Sequence, residues 1–123
     1  MPTASFDRFD VLVVPFPFTD KAAEKRRPAV VISDGKAFNQ PAGHSIMAMI
    51  TSAGNAPWPL DTPITDLQSA GLPSPSVVRL KLFTLDHRFV LRKAGKLDAG
   101  DARPLEAALA ALLLPQKTIA KKR

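Results

Sequence analysis

The chain contains no cysteine. That excludes a disulfide framework, a cysteine-ligated zinc site and a cysteine nucleophile. It also fits a reducing compartment, and a cytoplasmic location is expected. No apolar run is long enough to span a bilayer. The longest, Leu105 to Leu114, is interrupted by Glu106 and falls well short of the ~20 residues a membrane helix needs. Met1 to Asp10 has no basic stretch leading into an apolar one, so no secretory signal is expected. No internal repeat or low-complexity linker is present. Two histidines occur, His44 and His87, and no spacing pairs them as acid and base. A single segment has good helical periodicity, which leaves no helix-turn-helix for duplex DNA.

With 123 residues, 46% of them hydrophobic, the chain fits one domain with a real core. The formal charge is +6 with a pI near 10.1, which points to a polyanionic partner. Four of the cations, Lys117, Lys121, Lys122 and Arg123, lie in an acid-free terminal stretch, leaving +2 on the body. Half or more of the basic balance is therefore compatible with a solubilising tail. The expected organisation is a folded unit over 1–114 and a basic, flexible tail over 115–123.

Several β-rich runs are punctuated by prolines. Phe9 to Phe16, Pro28 to Ser33, Ser45 to Thr51, Ser76 to Phe83 and Phe89 to Lys93 read as strands. Thr19 to Arg27 reads as an exposed charged loop, and Ala53 to Pro63 as a long loop. Leu105, Leu109, Leu112 and Leu113 recur on one helical face. The helix starts from Asp98 or Asp101 as N-cap, and Pro104 fits better near a start at Asp101. Pro115 ends it. Five short strands followed by one helix predict a mainly β (α+β) domain with a small, strongly bent sheet or barrel.

Four ordered stretches resemble the MazF/PemK toxins of type II toxin–antitoxin systems. They are Phe9 to Asp20, Lys25 to Ser33, Ala48 to Ser52, and Gly71-Leu72 followed by Ser76 to Asp86. The resemblance implies an SH3-like β-barrel with a C-terminal α-helix, of the type shared with Kid and CcdB, paired as a homodimer. It implies an endoribonuclease, an mRNA-interferase-type hydrolase that cleaves single-stranded RNA sequence-selectively without cofactor or metal. In that family the 2′-hydroxyl attacks the adjacent phosphodiester and leaves a 2′,3′-cyclic phosphate and a 5′-hydroxyl. The implied protein partner is a cognate antitoxin with an acidic tail, and no membrane is involved.

Such a reaction passes through a phosphorane with added negative charge, so fixed donors aimed at that charge are the natural catalysts. Arg27, directly before Pro28, matches the family's catalytic arginine, and a guanidinium can hold two phosphate oxygens. Thr51 matches the hydroxyl residue at the end of the third strand. The plain alternatives are a solvated arginine and a β-branched strand end. Ser52 is a reserve donor. Arg26, Lys25, Arg79, Lys81 and Phe18 are candidate substrate contacts. Trp58, between Pro57 and Pro59, either stacks on an unpaired base or packs against the barrel or a second subunit. The chain departs from the family in three places. Lys81 stands where some members carry an acid, Phe9 stands where glycine is usual, and the loop from Thr19 to Arg26 lacks the glycine-rich sequence of several members. The rival functions on the same barrel are a CcdB-like inhibitor of DNA gyrase and a catalytically silent module that binds nucleic acid or a partner.

Overall fold

The structure, a computed structural model, describes residues 5–16 and 25–116. Phe18, most of the first charged loop and the basic tail lie outside the described residues. Six antiparallel strands form one curled sheet: β1 (Asp10–Phe16), β2 (Lys25–Val31), β3 (His44–Ser52), β4 (Thr62–Ile64), β5 (Ser76–Asp86) and β6 (Arg92–Lys96). Their order across the sheet is β4-β5-β3-β2-β1-β6, a half-barrel that agrees with the expected architecture. Short helices α1 (Gln40–Ala42, after a π-turn at Gly35–Asn39) and α2 (Leu67–Ala70) sit in the connections, and α3 (Ala99–Leu113) closes the described chain.

Strand alternation divides the apolar side chains into two layers. Val11, Val30, Ala48, Ile50 and Val78 face α2 and α3, meeting Ala70, Leu72 and Leu105. Leu12, Val14, Ala29, Val31 and Met47 form the second layer, where Phe6 and Leu85 join them. The curl has a local cause. The β3–β5 register shifts between Ala48 and Met49, so that Ala48 pairs with Leu82 but Met49 pairs with Arg79. The two extra residues on β5, Leu80 and Lys81, form a bulge that bends the strand.

Several boundaries differ from the expected ones. Lys25, Arg26 and Arg27 belong to β2, not to the preceding loop, because they pair with Phe16, Pro15 and Val14 of β1. β4 begins inside the stretch read as loop, and β5 continues three residues past Phe83. The final strand is shifted to Arg92–Lys96, and His87–Phe89 forms a 3-10 turn capped by the Asp86 carboxylate. The leucine face of α3 is only partly seated. Leu105 is fully buried, whereas Leu112 and Leu113 are exposed, because the sheet ends before the last helical turn.

The N-cap of α3 is Asp98, whose carboxylate accepts the Gly100 amide, and Pro104 lies inside the helix. Asp101 is not free to cap, because it is committed elsewhere. Its buried carboxylate accepts Thr65 N at 3.0 Å, Thr65 Oγ1 at 2.6 Å and Asp66 N at 2.9 Å, tying the β4–α2 turn to the helix. Burial pushes the carboxyl pKa up, but the Asp66 and Thr65 donors outweigh it and hold the group below its ordinary value. Nearby, α2 presses on β6. A Cβ on Gly71, which sits at φ +73, would lie 2.0 Å from the Ala94 carbonyl oxygen, so glycine is required there.

Asp101→Ala strands those donors. It is expected to cost about 2–3 kcal/mol in urea unfolding, and a change under about 0.5 kcal/mol would contradict this role. Because the folded carboxyl pKa is lowered, the contribution is present above the ordinary aspartate range and is lost as pH falls through the folded value.

Candidate active site

The second layer changes character along its length. Near Leu85 it is apolar, and toward the other end of β2, β3 and β5 it carries charge. β2 pairs with β3 at Val31↔Met47, Val30↔Ala48 and Ala29↔Met49. Continued two residues beyond the last pair, that register sets Arg27 across from Thr51. Alternation puts both on the layer of Ala29, Val31 and Met47. Thr51 in turn pairs with Val77, and Met49 with Arg79, which brings Arg79 to the same face. Lys81 follows Arg79 by two residues. Lys25 precedes Arg27 by two and shares its side of the strand.

The side chains on this face hold one another. The Arg27 guanidinium lies 5.8 Å from the centroid of the Phe16 ring on β1, a cation–π contact across the ladder. Thr51 Oγ1 accepts a 2.6 Å hydrogen bond from Asn55 Nδ2. With that lone pair engaged, the hydroxyl proton is free to donate to an incoming anion. Arg79 donates to Asp61 through Nε at 3.2 Å and Nη2 at 2.9 Å, and Nη2 also donates to the Ala56 carbonyl at 2.7 Å. Arg79 and Lys81 both lie against Trp58, with Cζ and Nζ at 5.7 Å and 4.6 Å from its ring centroid.

The face is electropositive. Among the described residues Lys25, Arg27, Arg79 and Lys81 share this face with the carboxylate of Asp61, whose pKa the Arg79 hydrogen bond holds below the ordinary range. The same bond raises Arg79 further. Arg79 is therefore partly neutralised, while Arg27 has an aromatic neighbour and no carboxylate among its described contacts. Such a surface can bind a polyanion and can direct a guanidinium and a hydroxyl at one phosphate.

Not every candidate joins it. Arg26 alternates to the opposite side, at a cleft of about 300 Å³ that Arg27 also lines, together with Val13, Pro28, Leu72 and Arg92. Ser52 also alternates away from Thr51, and its Oγ accepts the Gly54 amide at 3.3 Å. Phe18 lies outside the described residues. The histidines lie at the far end of β3. His44 is seven residues from Thr51, about 23 Å along a strand. His87 Nε2 meets Ser45 Oγ at 2.7 Å, and burial lowers its pKa. Among the described residues no three histidine, aspartate or glutamate side chains converge as a metal-ligand set, and no helix is long and apolar enough to cross a membrane. Sequence reasoning did not single out Asn55 and Asp61, because each reads as ordinary punctuation of a proline-rich loop.

The family model for the PemK-like, MazF-like toxin of type II toxin-antitoxin system matches residues 7–113. The chain belongs to that toxin family. No curated protein sequence matches it. Among solved structures, a MazE–MazF complex from Deinococcus radiodurans is similar at TM-score 0.70 and 21% identity, covering 93% of this chain and 100% of that one. An endoribonuclease in complex with its cognate antitoxin from a mycobacterial species is similar at TM-score 0.71 and 18% identity, over 94% and 100% of the two chains. The Mycobacterium tuberculosis toxin MazF-mt6 follows at TM-score 0.67 and 20% identity, over 88% and 99%. These likenesses establish the MazF-like fold. In this PemK-like chain the strand carrying Arg27 and the strand end carrying Thr51 both lie inside the matched span.

Because the Asp61 carboxylate stays ionised to below its ordinary value, the Arg79–Asp61 pair is intact above about pH 4 and is lost only in more acid solution. The emission of Trp58, the chain's one tryptophan, is expected to stay constant from about pH 8 to pH 4 and to change below it. A transition near neutral pH would contradict this pairing.

Proposed function

We propose that the chain is the toxin component of a type II toxin–antitoxin system, and that it is an endoribonuclease acting on single-stranded RNA in the cytoplasm. The observation that carries this reading is the β2–β3 register, which leads to Arg27 opposite Thr51 on one electropositive face. The 2′-oxygen of the RNA bonds to phosphorus as the bond from phosphorus to the 5′-oxygen breaks. The 2′-hydroxyl proton leaves, and the departing 5′-oxygen gains one. The products are a 2′,3′-cyclic phosphate and a 5′-hydroxyl. Arg27 holds the equatorial oxygens of the phosphorane, where charge grows, and the Thr51 proton adds a second donor. Lys25 contacts a flanking phosphate.

The partners in this reading are a second copy of the chain and a cognate antitoxin whose acidic tail competes with RNA for the same face. The apolar side chains of Phe89, Leu91 and Leu113, exposed in the single chain, supply surface for protein contacts. The named relatives that are solved with antitoxins support the same assignment.

The test is incubation of purified protein with several long RNAs in EDTA, beside an Arg27→Ala variant matched for folding by circular dichroism. Discrete fragments with 5′-hydroxyl ends are expected, and the variant should be slower by about 10²–10³-fold. Absence of cleavage would sink the nuclease reading and direct attention to gyrase inhibition. Undiminished cleavage by the variant would keep the activity and remove Arg27 from its centre.

A further inference from the structure

The loop from Ala53 to Asp61 contains two features that the catalytic pair does not use. It presents Trp58, 43% exposed beside the candidate groove, and it is fastened more firmly than its composition suggests. Asp61 N donates to Trp58 O at 3.1 Å, and Asp61 Oδ2 accepts Trp58 N at 3.1 Å, closing a tight turn around the tryptophan. Arg79 then clamps that turn to β5 through Asp61 and the Ala56 carbonyl. Leu60 is held at φ +67, a left-handed conformation costly for a leucine and kept only where surroundings impose it. The indole is therefore preorganised, which reduces the ordering cost of binding.

Two cations rise from β5 to the ring, Lys81 at 4.6 Å and Arg79 at 5.7 Å from its centroid. Both come from one strand, and the tryptophan beside them keeps 43% of its surface exposed. A large apolar surface kept half open beside two cations is poorly explained as core packing. It is well suited to a flat aromatic ligand joined to a phosphate, with the ring taking the base and Lys81 the adjoining phosphate. The same loop reaches the catalytic hydroxyl, because Asn55 donates to Thr51 Oγ1 at 2.6 Å. A base stacked on Trp58 thus lies on the element that orients Thr51.

We infer that Trp58 is a stacking platform for one unpaired base of the RNA, next to the scissile phosphate, and so a residue that sets where the chain cuts. This rests on the ribonuclease reading and adds a substrate contact to it. Arg79 and Lys81 act on the platform as positioning residues. Lys81, which stands where some toxins of this family carry an acid, is thereby given a use: a carboxylate there would repel both the indole face and the phosphate.

The chain's one tryptophan makes the test clean. An RNA that the wild-type protein cleaves is remade with 2′-O-methyl groups, so that it binds without reacting, and carries a fluorescent end label. The expected result is quenching of tryptophan emission that saturates together with the anisotropy of the label. Trp58→Ala should bind roughly 5- to 150-fold more weakly, and Trp58→Phe should regain most of the affinity because it keeps an aromatic face. Cleavage by Trp58→Ala should also spread to sites that the wild type leaves intact. Anisotropy that rises with no change in tryptophan emission, or Trp58→Ala binding within twofold of wild type with its cut sites unchanged, would overturn the platform and leave the nuclease reading standing. A wild-type protein that neither cleaves nor binds RNA would overturn both.

Discussion

The pairing of β2 with β3 is the constraint on which the rest of the structure depends. Its register sends Val30, Ala48 and Ile50 toward α3 and Ala29, Val31 and Met47 to the opposite layer. A slip by one residue would turn one strand over relative to the other and put Arg27 and Thr51 on opposite faces. Burial on both sides of the sheet resists that slip. The position of the candidate catalytic pair is therefore enforced by apolar packing several residues away, not by any direct bond between the two side chains. The bulge in β5 serves the same end. By inserting Leu80 and Lys81 opposite the Ala48–Met49 step, it curls the sheet and turns Arg79 and Lys81 toward the loop that holds Trp58.

Charge on this face is distributed unevenly, and that has chemical sense. Arg79 is tied up by Asp61 and by the Ala56 carbonyl, so its role is to build the site. Arg27 has Phe16 as its described neighbour and no carboxylate partner among the described residues. A guanidinium already paired with a carboxylate would have to exchange that partner for phosphate, a costlier step than engaging phosphate from solvent. The same contrast separates Thr51, poised by Asn55, from Ser52, which is absorbed in its own turn.

Much of the fold was legible in the sequence, because five strands are announced by β-branched runs between prolines and the helix by its leucine spacing. The MazF-like resemblance rested on the same segments. The errors have physical causes. Lys25 to Arg27 look like loop because they are charged, yet this end of β2 is exposed on both sides and accepts charge on each. β4 is three residues long and begins within a proline-rich stretch, too short to show alternation. Asp101 looked like a cap, and its long-range bonds to Thr65 and Asp66 decided otherwise. Arg27 and Thr51 were singled out from family likeness, and the β2–β3 ladder stops two residues short of them, at Ala29 and Met49. The Trp58–Arg79–Lys81 cluster could not be read in advance, since it depends on how the loop folds back on β5.

The central claim is that Arg27 and Thr51 act together on one phosphate. A double-mutant cycle on RNA cleavage tests it most directly, using Arg27→Ala, Thr51→Ala and the double variant, each matched for folding. If both groups stabilise the same phosphorane, the double variant will be little slower than the slower single one, a coupling of roughly tenfold or more. Rate losses that simply multiply would mean that the two residues act independently, and would contradict the site described here.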